Sequence, residues 1–131
     1  MNLKNTITAK KVLIILSILL LLTMIILSAI IISNNNKAEE TATNYTAQEL
    51  AHYIPLSQKF RNCGFVSFED VYASIDNGLT DILVQLSGGV NISMSNGKII
   101  TYPFSARLRI NAITGEVDYF NYLEINNERI N

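Results

Sequence analysis

The chain has 131 residues, room for one domain of ordinary size at most. A formal charge of −1 argues against a nucleic-acid partner, which calls for clustered Lys and Arg. One histidine and one cysteine exclude an internal disulfide and do not make a zinc set.

In chain order, residues 1–11 read as a short cytoplasmic stub carrying Lys4, Lys10 and Lys11. Residues 12–32 follow with no charge, dominated by Leu and Ile. At about 1.5 Å rise per residue, a helix of that length reaches roughly 30 Å, the thickness of a bilayer's hydrocarbon core. A buried helix of a soluble protein rarely stays apolar around its whole circumference for so long. A cleaved signal peptide would have an apolar region of about 7–15 residues and a small-x-small cleavage site. Here Ser28-Ala29-Ile30 is a poor site with Ile31 and Ile32 still to come, and no cysteine follows that could accept a lipid. The segment therefore predicts an uncleaved signal anchor in contact with the lipid bilayer. Ser17, Thr23 and Ser28 are its polar residues, and each hydroxyl can bond its own helix backbone. Neither a small-xxx-small glycine pair nor an ionisable group marks a dimer face or an ion path.

Orientation follows from the flanking cations. Three lysines precede the span and only Lys37 lies close behind it, so the N-terminus is expected in the cytoplasm and the C-terminus outside. The 99 residues after Ile32 carry seven basic and eleven acidic side chains. An acidic ectodomain of this kind should not cling to anionic lipid heads. Asn- and Ile-rich composition points to an AT-rich genome, that of a low-GC bacterium, and hence to a bacterial envelope.

Residues 33–44 (SNNNKAEETATN) lack an apolar period and read as a linker before a domain over 45–131. Thr46 and Glu49 have the capping-box spacing that opens a helix. Ala47, Leu50, Ala51 and Ile54 then fall on one helical face, and Pro55 should end or kink the helix before it resumes through Leu56–Phe60. Phe65–Ile75 is open between a helix capped by Ser67 and a strand; alternation into Asp76-Asn77-Gly78 favours the strand.

From there the sequence predicts a β-meander. Its strands are Thr80–Leu86, Val90–Met94, Ile99–Asn111 and, last, Val117–Ile125. Ser87-Gly88-Gly89, Ser95-Asn96-Gly97 and Thr114-Gly115-Glu116 divide them, and Pro103 marks an edge or bulge. Phe104, Ala106, Leu108 and Ile110 alternate with Ser105, Arg107, Arg109 and Asn111, which means a sheet with one wet face. The expected fold class is α+β, with an N-terminal transmembrane helix and then a helix packed on a curled antiparallel meander. That element order resembles cystatin-like and NTF2-like extracytoplasmic domains. The resemblance implies fold alone, since no motif accompanies it.

No catalytic, cofactor-binding or metal-binding residues are expected. His52 is a helix histidine without a triad signature around Ser57 or Cys63, and Cys63 beside Gly64 and Phe65 reads as a small buried apolar residue. Glu69, Asp70, Asp76 and Asp81 lack the spacing of a calcium loop and read as solvated turns. Asn44-Tyr45-Thr46 and Asn91-Ile92-Ser93 match the glycosylation sequon, which matters only in a host that modifies exported asparagines.

Arg107 and Arg109 on the wet face, with Tyr119 on one face of the last strand and Phe120 and Tyr122 on the other, suggest a partner surface. Arginines and aromatics are enriched at interfaces. The plainer alternative pairs Arg107 and Arg109 with Glu116 or Asp118 across the strands. The expected function is a non-enzymatic interaction or assembly module of the cell envelope, with an envelope protein as partner. The alternative is a small-molecule-binding or sensory ectodomain using the concave side of the sheet.

Overall fold

The computed structural model describes residues 3–131, so the first two residues of the predicted stub lie outside the described residues. The chain divides into two compact units, Met1–Asn35 and Asn36–Asn131. Helix α1 (Leu3–Tyr53) begins in the first and ends in the second.

In the first unit, α1 includes the one segment among the described residues that is long and apolar enough to cross a membrane. Its Leu and Ile side chains are exposed all round, as expected of a helix whose solvent is lipid. The hydroxyls of Ser17 and Ser28 donate to the carbonyls of Leu13 and Met24, both at 2.8 Å, and Thr23 donates to Leu20 at 2.7 Å. Those bonds remove the cost of carrying hydroxyls in an apolar segment.

In the second unit, the sheet is antiparallel with strand order β1-β2-β3-β4-β5: β1 (Gly64–Asn77), β2 (Asp81–Ser93), β3 (Ile99–Asn111), β4 (Val117–Ile125) and β5 (Glu128–Arg129). The α+β class and the meander therefore hold, and the ambiguous Phe65–Ile75 segment is strand. β5 is an addition to the expected set. Asn126 and Asn127, at φ 54° and 63°, form the two-residue turn that folds it back on β4.

Residues 33–44 are a correction: they are helical and not a linker. Ala38, Ala42, Thr46, Leu50 and Ile54, each four residues from the last, are 0–3% exposed and belong to the core. Three of the five are small. Small side chains let a helix lie close on a sheet, and alanine is the best helix former. Thr46 is accordingly mid-helix, not a cap, and its buried hydroxyl has no hydrogen-bond partner among the described residues. Of the predicted apolar face, Leu50 and Ile54 are buried while Ala51 is exposed. Beyond Pro55 the chain turns and does not resume as helix. Ser57 organises that turn, donating to Ile54 O at 3.1 Å and accepting from Phe60 N at 3.1 Å.

Against this helix the sheet presents Ile82, Val84, Leu86, Val90 and Ile92 of β2, then Phe104, Ala106, Leu108 and Ile110 of β3, and Leu123 and Ile125 of β4. Each fully buried Leu or Ile is worth about 1.5–3 kcal/mol relative to exposure. Tyr45 packs on Phe120 (ring centroids 5.6 Å) and Phe60 on Tyr102 (5.2 Å), which fixes how the second unit's helix runs along its sheet. Burial, then the charge of Glu49 and the neighbouring Tyr53, push the Tyr45 hydroxyl above its ordinary pKa of 10.0. It is neutral at physiological pH and acts as a packing group.

β2 also differs from expectation, since Ser87-Gly88-Gly89 does not divide it. A β-bulge at Asp70 (φ 49°) in β1 lies against Gly88, where a Cβ would sit 2.6 Å from Asp70 O and 2.9 Å from Val71 Cα. Glycine is there for close backbone approach. Gly88→Ala should therefore destabilise this unit by about 1–3 kcal/mol, the usual range for overpacking. A midpoint unchanged in thermal unfolding would contradict that contact.

Pro103 sits in β3, a central strand, yet at its position β4 has already ended. Pairing with β4 starts at Phe104–Ile125, and Asn126 N donates to Pro103 O at 2.7 Å in the turn. The missing N–H therefore faces no strand partner.

Candidate functional site

The outer face of the sheet carries the four residues singled out as a partner surface. β3 alternates strictly: Ala106, Leu108 and Ile110 are buried, so Arg107 and Arg109 point to the opposite, outer side. β4 does not alternate strictly. It pairs Ile110 with Val117, Arg109 with Tyr119, Leu108 with Phe120 and Arg107 with Tyr122, leaving Asp118 and Asn121 as extra residues at two register shifts.

Each extra residue reverses the phase of alternation once. The expectation that Tyr119 and Tyr122 lie on opposite faces is therefore corrected. Phe120 faces the core beside Tyr45, and Tyr119 and Tyr122 both share the outer face with Arg107 and Arg109. Nothing in the sequence marks a bulge here except the interrupted apolar alternation of Val117, Phe120, Leu123 and Ile125 itself.

The two arginines are in different electrostatic situations. Arg109 Nε lies 3.2 Å from Asp81 Oδ2, with both side chains about half exposed, a pair worth ~0–1 kcal/mol. Asp81 is the diagonal neighbour of Arg109, because Arg109 pairs directly with Leu83. The proposed partners Glu116 and Asp118 form no ion pair with either arginine.

Arg107 has no carboxylate oxygen within 4.0 Å among the described residues. Its guanidinium carbon stands 5.3 Å from the centre of the Tyr122 ring, a cation–π arrangement. One Nη reaches Gln85 Oε1 at a long 3.5 Å, and its buried Nε has no acceptor. A guanidinium set over an aromatic ring, with no carboxylate in reach, can donate to a carboxylate or carbonyl from outside.

Further along the same face, polar side chains of three strands are bonded to one another. Asn91 Nδ2 donates to Ser67 at 3.0 Å, and the Thr101 hydroxyl lies 2.6 Å from Asn91 Oδ1 and 3.2 Å from Glu69 Oε2. Asn91, the second sequon asparagine, is thus committed within the sheet, whereas Asn44 is exposed on α1.

The remaining chemistry-bearing residues are apart in character. His52 is exposed on α1, Cys63 is 7% exposed with Sγ 3.7 Å from Arg61 O, and the Ser57 hydroxyl is engaged in its turn. Asp76 is exposed near the end of β1, Asp70 is the bulge residue, and Asp81 is paired with Arg109. Among the described residues no three His, Cys, Asp or Glu side chains cluster as metal ligands would.

No family model, curated protein or solved structure matches this chain.

Proposed function

We propose that this chain is a single-pass membrane protein with a cytoplasmic N-terminus, whose residues from 36 onward lie outside the cytoplasm and bind another envelope protein without catalysing a reaction. The apolar segment of α1 supports the anchor, and the lysines before it support the orientation. The observation that carries the binding role is the gathering of Arg107, Arg109, Tyr119 and Tyr122 on one outer face, with no acid paired to Arg107 among the described residues. Helix first and meander after resembles the order of cystatin-like and NTF2-like domains, from which no residue role follows.

A pocket beneath the helix would have suited a ligand-binding ectodomain. That side of the sheet is filled by Thr46, Leu50 and Ile54, all fully buried, and by the buried apolar residues of β2, β3 and β4, so the outer face is the better surface.

The test is crosslinking in intact cells, followed by purification through a C-terminal tag. Capture of a stoichiometric envelope protein is expected. Arg107→Glu should weaken that capture at least about tenfold, which corresponds to ~1.4 kcal/mol. Arg109→Glu should cost less, because Asp81 already occupies Arg109, and Lys98→Glu in the far hairpin should cost nothing. Equal capture by all three variants would remove this face from consideration, and turnover of a substrate by the purified chain would overturn the reading.

A further inference from the structure

The two hairpin ends of the sheet differ in what they expose. At one end lie the β1–β2 turn and the β3–β4 turn, tied together by Ala112 N donating to Thr80 O at 2.9 Å. Their tips are Leu79, 100% exposed, and Ile113, 85% exposed, the two most exposed large aliphatic side chains outside the apolar segment of α1.

Neither is a loose loop residue. Gly78 N donates to Asp81 O at 2.8 Å in the first turn. In the second, Asn111 Oδ1 accepts from Ile113 N at 2.8 Å and Thr114 N at 3.0 Å, and Gly115 (φ 74°) closes the turn onto Asn111 O at 2.9 Å. Two ordered turns therefore hold an aliphatic side chain out of the core, side by side.

The helix of the second unit shows which end this is. Tyr45 packs on Phe120, the partner of Leu108, and Phe60, in the turn beyond the helix, packs on Tyr102. The chain from Tyr45 to Phe60 therefore runs against β3, and a step back from Tyr45 is a step forward along β3. From Tyr45 to Asn36 is nine residues, about 13 Å of helix. From Leu108 to Asn111 is about 10 Å of strand, with the turn beyond it. The Leu79–Ile113 end is thus the end at which the chain enters this unit. Ile32, the last residue of the apolar run, is four residues before Asn36, a reach of at most about 14 Å in any backbone conformation.

We propose that Leu79 and Ile113 insert into a membrane surface, docking the second unit on the lipid by its two turns. The proposal rests on the reading of residues 12–32 as a membrane span. Asp76, Glu116 and Asp118 near these turns forbid adhesion to anionic head groups, so the contact is apolar insertion into a neutral interface. A single aliphatic side chain at an interface is a weak contact. Here the span already confines the domain to the surface, and the contact needs only to be favourable at that high effective concentration.

The test uses the full chain in phosphatidylcholine vesicles, in a Cys63→Ala background, with one cysteine at a time introduced and labelled with an environment-sensitive fluorophore. The variants are Leu79→Cys, Ile113→Cys, Asn96→Cys at the opposite hairpin, and Leu21→Cys in the span. Spin-labelled lipids bearing the quencher about 5–10 Å below the head groups should quench positions 79 and 113 several-fold more than position 96. Equal, weak quenching at 79, 113 and 96, with position 21 strongly quenched, would overturn the docking alone. Loss of quenching at position 21 as well would overturn the anchor and the docking together.

Discussion

Ala42→Asp is expected to destabilise residues 36–131 strongly, whereas Asn44→Asp, two positions on, leaves their stability unchanged. Ala42 is fully buried between α1 and the sheet, with Ala38 and Thr46 one turn to either side. An aspartate there places a carboxylate within the apolar core cluster, at a cost of about 3–5 kcal/mol. Set against a typical total of about 5–15 kcal/mol, the loss is a large fraction of stability. For a unit of this size it lowers the thermal midpoint by more than about 12 °C. Asn44 is exposed, so its replacement stays within about 0.5 kcal/mol.

All six tyrosines lie after residue 44 and there is no tryptophan, so near-ultraviolet circular dichroism of the full chain in detergent reports on the second unit alone. A midpoint for Ala42→Asp equal to that of Asn44→Asp would return residues 33–44 to the status of a solvated linker.

The same residues show why part of the fold could be read from the sequence and part could not. Leu and Ile advertise burial, so the apolar segment, Leu50, Ile54 and the alternating strands were all legible. Ala38, Ala42 and Thr46 do not. Their contribution is closeness of approach, which hydropathy does not register, and a polar-looking stretch concealed a packed helix. Thr46 and Glu49 satisfied the spacing of a capping box, but a cap requires that the preceding residues leave the helix, and the good helix formers Ala38, Glu39, Glu40 and Ala42 keep them in it.

Glycine was misleading in the opposite direction. Gly88-Gly89 looked like a turn because turn and close approach demand the same missing Cβ. Only the partner strand, with its bulge at Asp70, distinguishes them. The arginines of the outer face were legible because β3 alternates without interruption. Their true neighbours were not, since Asp81 and Gln85 come beside Arg109 and Arg107 only once the register between β2 and β3 is known.

β4 is where the sequence pattern and the functional face meet, and deleting Asn121 should test both. Asn121 is the extra residue between the Leu108–Phe120 and Arg107–Tyr122 pairs. Without it, Phe120 still pairs with Leu108 and Tyr122 with Arg107, now as consecutive residues of an unbroken ladder, one facing the core and the next facing out. Leu123 and Ile125 therefore stay in the core, and Tyr119 and Tyr122 stay on the outer face. What the deletion removes is the local bend and added twist of the bulge. The variant should keep its cooperative tyrosine transition and capture the partner as the parent chain does. Asn121→Ala is the matched control: it keeps the residue count, and the side-chain oxygen it removes has no hydrogen-bond partner among the described residues. Its stability should stay within about 1 kcal/mol of the parent chain. A deletion variant that loses the transition while Asn121→Ala keeps it would show that the bend itself is needed for the fold, and one that folds but loses capture would show that the bend shapes the face.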